Sequence, residues 1–283
     1  MESAAAASGE RPILPALLLI RRLDETFAAE LRQRFRVLDF YASGEALPAF
    51  LAAAATVPDP PRAAVVMGGG AARVDASFLD AVPSLRFVFS TGAGVDHIDL
   101  DECARRGVAV ANSGRVYSAD VADHAVGMLI DVLRRVSAAE RFVRRGLWPV
   151  RGDYPLGSKD LASESDVLVV ACALNKETMH IVNKDVLEAL GKDGVIINIG
   201  RGRNIDEVEL VRALLDGTIA GAGLDVFENE PKVPAELLSM DNVVLTHHVA
   251  VFTSESRSDL RNITIGNLEA FFSGKPLLTP VLP

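Results

Sequence analysis

The sequence is poor in cysteine and has no motif that typically holds a metal. Its 283 residues include two cysteines, Cys103 and Cys172, which lie in unrelated segments without the spacing of metal ligands. This usage argues against a disulfide framework and a zinc site, and it suits a reducing compartment. We therefore expect no bound metal, and we expect both cysteines to be small buried hydrophobic residues.

Basic residues and long apolar runs are also in deficit. The chain has 29 lysines and arginines against 38 aspartates and glutamates, a formal net charge of −9. Nucleic-acid binding needs a basic face, so nucleic acid is not an expected partner. No apolar run reaches the roughly 18 residues of a membrane span. The first twelve residues, MESAAAASGERP, have no apolar core and predict a disordered leader. We predict a cytosolic protein that binds no membrane.

The chain does have a regular alternation of short apolar runs and amphipathic segments. Such alternation predicts a parallel, doubly wound α/β sheet. The predicted strands are residues 17–20, 36–40, 63–67, 86–90, 108–112, 166–172, 195–199, 222–227 and 242–246. The predicted helices include residues 24–35, 99–106, 183–190, 206–216 and 254–272.

One buried strand ends at an arginine. In the segment GVIINIGRGRNIDE, the β-branched residues 195–197 predict a parallel strand that stops at Arg201 and its flanking glycines. Ligands of open α/β sheets bind outside the carboxyl ends of the strands, so this guanidinium is placed to bind an anion. The alternative is a surface arginine that caps a helix or pairs with a nearby acid.

A strong helix is predicted at residues 118–136, with a wide apolar stripe at helical spacing. Its continuation, SAAERFVRRGLWP, is expected to end at Gly146 and Pro149. Phe142 and Trp148 in this continuation could anchor a subunit contact. A helix between domains of one chain is the alternative.

Several segments together resemble the D-2-hydroxyacid dehydrogenase family: STGAGVDHIDL, VADHAVGMLI, NIGRGRNIDE, GAGLDVFENEP and VVLTHHVA. They follow the family's order over nearly the whole chain, and they look most like the hydroxyphenylpyruvate and hydroxypyruvate (glyoxylate) reductases. The resemblance implies NAD(P)H-dependent reduction of a 2-oxo acid to the D-2-hydroxy acid, with NADPH favoured over NADH. It also implies a homodimer.

The same resemblance implies two doubly wound domains. Residues 1–112, completed by 250–283, are predicted to form a flavodoxin-like substrate-binding domain. Residues 113–249 are predicted to form a truncated Rossmann-type domain that binds the dinucleotide.

Three residues match the family's catalytic positions: Arg201 binds the 2-oxo acid, His248 donates the proton and Glu230 pairs with His248. The chemistry suits these residue types. Hydride arriving at a ketone carbon charges its oxygen, which an imidazolium can stabilise and protonate, and a carboxylate favours that imidazolium. Arginine matches a carboxylate through two parallel hydrogen bonds. As alternatives, Glu230 could be a helix-start acid before Pro231, and His248 a core histidine.

The family pattern also supplies binding residues. Asp225 matches an aspartate near the nicotinamide carboxamide, and Thr178 and Ile199 match positions that line the cofactor. The glycines of a substrate-domain loop that offers backbone amides to the substrate carboxylate match Gly68, Gly69 and Gly70. We expect the remaining histidines His97, His124 and His180 to be structural.

The sequence departs from the family in two places. Gly-x-Gly occurs at Gly68, Gly92, Gly200 and Gly221, and none continues into the fingerprint G-x-G-x-x-G. We expect a βαβ segment to be missing between Lys159 and Asp160, through alternative splicing or an erroneous gene model. The strand at 166–172 would then have an unpaired apolar edge, and cofactor binding by this chain is in question.

The second departure is His247, where the family usually has proline before the catalytic histidine. Without the fixed φ of proline, the orientation of the His248 side chain is less constrained. The tandem histidines leave open which one acts, and the register of the following residues favours His248.

Three functions remain open from the sequence. The first is the reductase, acting on hydroxypyruvate, glyoxylate or hydroxyphenylpyruvate. The second is a non-catalytic family member that forms mixed dimers with intact subunits. The third is a module that only binds a 2-oxo acid through its glycine loop and Arg201.

Overall fold

The structure is a computed structural model that describes residues 14–154 and 167–282. Both the predicted leader and the predicted junction between Lys159 and Asp160 lie outside the described residues. The chain divides into two compact units. The first comprises Met1–Gly114 and Leu260–Pro283, and the second comprises Arg115–Asp259. The functional roles predicted for the two domains stay predictions.

The first unit contains a five-stranded parallel sheet of order β2-β1-β3-β4-β5. This is the strand order of flavodoxin-like folds, as predicted. The strands are β1 (Ala16–Leu19), β2 (Arg36–Asp39), β3 (Ala63–Val66), β4 (Phe87–Ser90) and β5 (Ala109–Ala111). The helices between them are α1 (Glu25–Arg34), α2 (Phe40–Ser43), α3 (Leu47–Thr56), α4 (Ala76–Ala81) and α5 (Leu100–Arg105).

Aspartates start most helices of this unit, and buried strands form its core. Asp24, Asp75 and Asp99 each accept a hydrogen bond from the backbone N–H three residues on, which satisfies a donor that the helix leaves unpaired. The strands β1, β3 and β4 are buried at every position. Continuous burial of this kind is typical of parallel strands that are covered on both faces.

The second unit contains a four-stranded parallel sheet of order β6-β7-β8-β9. The strands are β6 (Val167–Val170), β7 (Val195–Asn198), β8 (Gly221–Leu224) and β9 (Val243–Leu245). The helices are α6 (Ser118–Arg134), α7 (Val136–Arg144), α8 (Trp148–Arg151), α9 (Lys184–Leu190) and α10 (Glu207–Leu215). The last helix, α11 (Ser254–Phe272), follows β9, and from Leu260 on it belongs to the first unit. The predicted α/β class with parallel sheets is confirmed. No helix among the described residues is both long and apolar enough to cross a membrane.

The strand β6 lies at one edge of this sheet. Among the described residues it pairs with β7 alone, in parallel register from Val167 opposite Val195. The side chains of Val167 and Val169 are 39% and 46% exposed. These exposed valines agree with the apolar edge that was predicted for this strand. Residue 166, the first of the predicted strand, lies outside the described residues.

Three local predictions were wrong. Cys103 is buried as predicted, whereas Cys172 is exposed. Cys172 follows the last residue of β6 by two positions, so it has already left the sheet. The helix predicted through residue 136 breaks at Arg135, which has the left-handed φ of 51°. Pro149 does not end a helix. It lies in the first turn of α8, where a backbone N–H would have no partner within the helix, so proline costs no hydrogen bond.

Candidate active site

Two buried asparagines hold the backbone around Arg201 at the end of β7. Asn198 accepts a hydrogen bond from the Gly200 N–H at 3.1 Å and donates one to the Arg201 carbonyl at 3.0 Å. Asn204 accepts from the Arg201 N–H at 2.8 Å. Both asparagine side chains are buried. The turn that presents the guanidinium is therefore fixed from inside the protein, and the guanidinium itself donates to the Gly200 carbonyl at 2.9 Å.

Glu230 and His248 lie in direct contact. The Nδ1 atom of His248 is 3.0 Å from Oε2 of Glu230. The other oxygen of Glu230 accepts a hydrogen bond from the Phe227 N–H at 3.1 Å, so the carboxylate is held from two sides. The side chains are 41% and 37% exposed for His248 and Glu230. His248 is thus no core histidine, and Glu230 lies in a turn and not at a helix start.

The environment of Glu230 favours its ionised form. Burial raises the pKa of this carboxyl, but the hydrogen bond with His248 and the one from the Phe227 N–H lower it, as do the charges of His248 and Arg201. The net effect is a pKa below the ordinary value of 4.5. Glu230 is therefore a carboxylate at neutral pH, and it can stabilise a proton on the imidazole that it contacts.

Asp225 lies immediately after β8 and is 1% exposed. Its carboxylate accepts hydrogen bonds from the hydroxyl of Thr246 at 2.6 Å, the Val249 N–H at 2.9 Å and the Ala250 N–H at 3.2 Å. Its own carbonyl accepts from the His248 N–H at 2.8 Å. The residue that resembles a cofactor contact therefore also binds the loop that carries His248.

The two residues predicted to line the cofactor lie at the carboxyl ends of neighbouring strands. Ile199 follows β7, is half-buried and packs against the apolar cluster beneath the sheet. Thr178 lies in the loop after β6, where its hydroxyl donates to the Ala173 carbonyl at 2.6 Å and accepts from the Asn175 N–H at 2.8 Å. Both residues follow parallel strands in the chain, and the carboxyl ends of such strands are where ligands bind in open α/β sheets.

The predicted substrate loop Gly68, Gly69 and Gly70 belongs to the first unit and follows β3. Gly69 has a φ of 71°, which favours glycine, and the Gly70 N–H donates to the Met67 carbonyl at 3.2 Å. A Cβ on Gly68 would lie 3.2 Å from the ring of His97, so glycine is also favoured there by space. The loop is a tight turn in which Gly69 is exposed and Gly68 and Gly70 are half-buried. Its predicted role of offering backbone amides to a carboxylate stays a prediction.

The other histidines differ in their surroundings. His97 is buried and lies 3.4 Å from the hydroxyl of Ser90. His180, at a φ of 49°, contacts Glu228 at 2.7 Å. His124 Nε2 lies 3.0 Å from the Thr246 hydroxyl. His247 is exposed. Among the described residues no cluster of three or more His, Cys, Asp and Glu side chains could hold a metal ion.

Sequence reasoning missed Asn198, Asn204 and Thr246, which hold the turns that carry Arg201 and His248. Each lies within a few residues of a recognised motif, and no residue type or spacing distinguishes them there. Their partners become visible only when the strands lie side by side.

The described sheet, with an arginine and a carboxylate–imidazole pair beyond its strand ends, defines an α/β oxidoreductase of the dinucleotide-binding type. The chain belongs to the D-2-hydroxyacid dehydrogenase family, as the sequence motifs predicted. Residues 151–250 match the family model described as "D-isomer specific 2-hydroxyacid dehydrogenase, NAD binding domain".

Named relatives cover most of the chain. A glyoxylate/hydroxypyruvate reductase of Arabidopsis thaliana is 44% identical over 318 aligned positions, which include 94% of this chain and 97% of the relative. A hydroxyphenylpyruvate reductase of Plectranthus scutellarioides is 42% identical, over 77% of this chain and 85% of the relative. These relatives are enzymes, and they give no support to a non-catalytic function.

A solved structure has a similar fold. It is an NADPH-dependent glyoxylate/hydroxypyruvate reductase from Sinorhizobium meliloti, in complex with NADP and malonate. The match has a TM-score of 0.82 and 32% identity, and it covers 94% of this chain and 96% of that chain.

Proposed function

We propose that this chain reduces a small 2-oxo acid to the D-2-hydroxy acid, with hydroxypyruvate, glyoxylate and hydroxyphenylpyruvate as the candidate substrates. The observation that carries the proposal is the 3.0 Å contact between His248 Nδ1 and Glu230 Oε2. Because Glu230 occupies Nδ1, the proton to be delivered is the one on Nε2. The relatives named as reductases of these acids support the choice of substrates.

Each polar residue of the site has a separate task. Arg201 binds the substrate carboxylate through paired N–H donors, and its backbone is held by the two buried asparagines. His248 donates its proton to the oxygen that becomes the hydroxyl. Glu230 stays ionised, orients the imidazole and stabilises its charged form. A bound nicotinamide dinucleotide supplies the hydride.

The residues present fit the nicotinamide end of that cofactor. Ile199 gives a half-buried apolar wall at the carboxyl end of β7, and Thr178 and Asp225 follow the strands on either side of it. The fingerprint that would hold the pyrophosphate is absent from the sequence. The Arabidopsis relative aligns over 318 positions, more than the 283 residues of this chain, so part of the relative has no counterpart here. This supports a missing segment and predicts weak binding, with NADPH preferred as in the Sinorhizobium enzyme's name.

We also propose that the protein is a cytosolic homodimer that uses the outer face of α6, together with α7 and α8. The inner face of α6 is buried at Ala125, Met128 and Val132. The outer face exposes Val126 and Ile130, which are 56% and 52% exposed. Large apolar residues remain exposed further along at Val143 and Trp148. Ile130→Lys should convert a dimer to a monomer in analytical ultracentrifugation, and a monomeric wild-type protein would contradict the proposal.

The first test is a titration of the purified protein with NADPH and then NADH, followed by Trp148 fluorescence and thermal shift. Saturable binding is expected, and hydroxypyruvate reduction is then assayed. Arg201→Ala should lower kcat/KM by roughly 100-fold or more, because hydrogen bonds to charged groups contribute about 1.5–3 kcal/mol each. Arg203→Ala, in the same turn with an exposed side chain, is the matched control. Equal rates in the two variants would contradict the role of Arg201.

The tandem histidines need their own comparison. His248→Gln should lower kcat by roughly 100- to 10,000-fold, the usual contribution of a general acid. His247→Gln, at the neighbouring exposed position, should retain activity. The opposite result would assign the proton donor to His247.

A further inference from the structure

The loop that carries His248 is bound to a buried carboxylate at several points. Asp225 accepts from the N–H groups of Val249 and Ala250, and its carbonyl accepts from the N–H of His248. His248 has a φ of 58°, in the left-handed region that non-glycine residues rarely adopt. Such a conformation persists only where the surroundings enforce it. Here Asp225 supplies that enforcement.

Asp225 is in turn oriented by Thr246. The Thr246 hydroxyl lies 2.6 Å from Oδ1 of Asp225 and 3.0 Å from Nε2 of His124. A hydroxyl has a single proton, and the carboxylate can only accept, so that proton goes to Asp225. The Thr246 oxygen must then accept from His124, whose Nε2 therefore carries a hydrogen. The geometry fixes the direction of each hydrogen bond from α6 to the His248 loop.

The loop also lacks the constraint that proline would provide. His247 stands immediately before His248, and its φ is not fixed by a ring. The orientation of the His248 imidazole therefore depends on hydrogen bonds from outside the loop. Asp225 holds the loop backbone, and Glu230 contacts the imidazole itself. The other titratable groups that face Glu230 or Asp225 here are Arg201 and His124.

We propose that Thr246 and His124 are positioning residues for His248, acting through the carboxylate of Asp225. Neither has to touch the substrate. Removing the hydroxyl of Thr246 or the Nε2 donor of His124 releases Asp225, relaxes the strained backbone of His248 and turns its imidazole away from Glu230. The proposal rests on the proposed role of His248 as proton donor, but the geometry it predicts can be measured without turnover.

The test is long-range ¹H–¹⁵N NMR of the imidazole rings in the protein without ligand. The chain has only five histidines, so single substitutions assign every ring. In the wild-type protein His124 Nε2 is expected to carry a hydrogen, and His248 Nδ1 is expected to show the downfield signal of a hydrogen bond to a carboxylate. Thr246→Val and His124→Leu should lose the His248 signal. Thr246→Ser and His124→Gln, which keep the hydroxyl and an Nε2 donor, should retain it.

Kinetics give a second readout. Where the wild-type protein reduces hydroxypyruvate, Thr246→Val and His124→Leu should lower kcat by roughly 100-fold, the loss expected from misplacing a catalytic group by about 1 Å. KM should change little, because Arg201 is untouched. The conservative variants should restore kcat. A structural role alone would lower both stability and activity without this selective rescue.

An unchanged His248 Nδ1 signal in both Thr246→Val and His124→Leu would overturn the proposal. If Thr246→Val does not fold, His124→Leu decides alone, because the His124 side chain is 24% exposed on α6 and tolerates replacement better. If the protein binds no cofactor, the proposed function fails while the NMR result still supports or overturns the positioning network.

Discussion

Gly202 and Phe227 meet backbone to backbone: a Cβ built on Gly202 would overlap the carbonyl carbon and oxygen of Phe227. Gly202 follows Arg201 directly, and Phe227 donates its N–H to Glu230. The turn that presents the guanidinium therefore lies against the turn that holds the carboxylate. A single close approach sets the distance between the anion-binding arginine and the proton-donating pair.

The first prediction concerns Gly202→Ala. The added methyl group cannot be accommodated unless one of the two turns moves, because the atoms it meets are backbone atoms and cannot swing aside. We expect a loss of about 1–3 kcal/mol in the free energy of unfolding, typical of overpacking. Activity should fall further than stability, since Arg201 and Glu230 are displaced relative to each other. Urea unfolding and hydroxypyruvate reduction measure the two effects.

Gly127→Ala is the matched control for this substitution. Gly127 lies within α6, and a Cβ there would meet no atom within 4 Å. Alanine in a helix is favoured over glycine by roughly 0.5–1 kcal/mol, so this variant should be slightly more stable than the wild-type protein. Equal stability of Gly202→Ala and Gly127→Ala would show that the contact at Gly202 is not restrictive.

The second prediction is the pH dependence of Glu230. Burial raises the pKa of this carboxyl, but its bonds with His248 and the Phe227 N–H bring the folded-state value below the ordinary 4.5. A carboxyl with a lowered folded-state pKa stabilises the folded state above its unfolded pKa, and this contribution is lost as the pH falls through the folded value. Wild-type protein should therefore lose stability below about pH 4.5 more steeply than Glu230→Gln. Thermal melts between pH 3 and pH 7 measure the difference.

His248→Gln provides the control for that experiment. It keeps Glu230 but removes both the hydrogen bond and the charge that lower its pKa. Glu230 then contributes less stability above its unfolded pKa, so the acid-induced loss of stability should be shallower than in the wild-type protein and close to that of Glu230→Gln. Parallel melting curves for all three proteins would contradict the coupling between Glu230 and His248.

The third prediction concerns the edge strand β6. Its side chains Val167 and Val169 are exposed, and among the described residues the strand pairs on one side only. Unpaired apolar edges promote association between chains, and a lysine on such an edge opposes it. Val169→Lys should reduce self-association in light scattering at high protein concentration, with little change in melting temperature. Val208→Lys is the control, because Val208 is an exposed valine of α10 and does not lie on β6. This variant should not reduce self-association, and an equal effect of the two substitutions would exclude pairing at the edge.

Much of the fold could be predicted from local patterns. The central strands β1, β3 and β4 are runs of apolar residues too continuous for one-sided burial, and several helix starts carry aspartate caps, so the order of elements follows from the sequence. The last helix occupies residues 254–272 as predicted. The break at Arg135 could not be predicted, because arginine has no preference for a left-handed φ.

The residues of the candidate site also differ in whether the sequence could predict them. Arg201, Glu230 and His248 could be proposed because each belongs to a short motif beside a predicted strand end. Thr246 and His124 could not, because their contact joins positions 122 residues apart in the chain and depends on α6 packing beside β9. The exposure of Cys172 was missed because an apolar run gives no sign of where its strand leaves the sheet.

The last prediction uses the two cysteines, which should differ strongly in reactivity. Burial, with the nearby charges of Asp99 and Glu102, raises the pKa of Cys103 to about 11. Cys172 is exposed. Only a thiolate attacks a disulfide reagent, so at pH 8 the folded protein should react at Cys172 alone and the unfolded protein at both cysteines. Cys172→Ser should abolish the fast reaction, and Cys103→Ser should leave it intact.

The same reaction can report where a cofactor binds. The backbone carbonyl of Cys172 lies beside Gly200, within 3.0 Å of where a Cβ would be, so this thiol belongs to the edge that ends at the Arg201 turn. A nicotinamide dinucleotide at that edge should slow the labelling of Cys172 in proportion to the fraction of protein that is free. Binding of NADPH without any protection of Cys172 would place the cofactor elsewhere, and the proposed reaction at His248 would then have no hydride donor within reach.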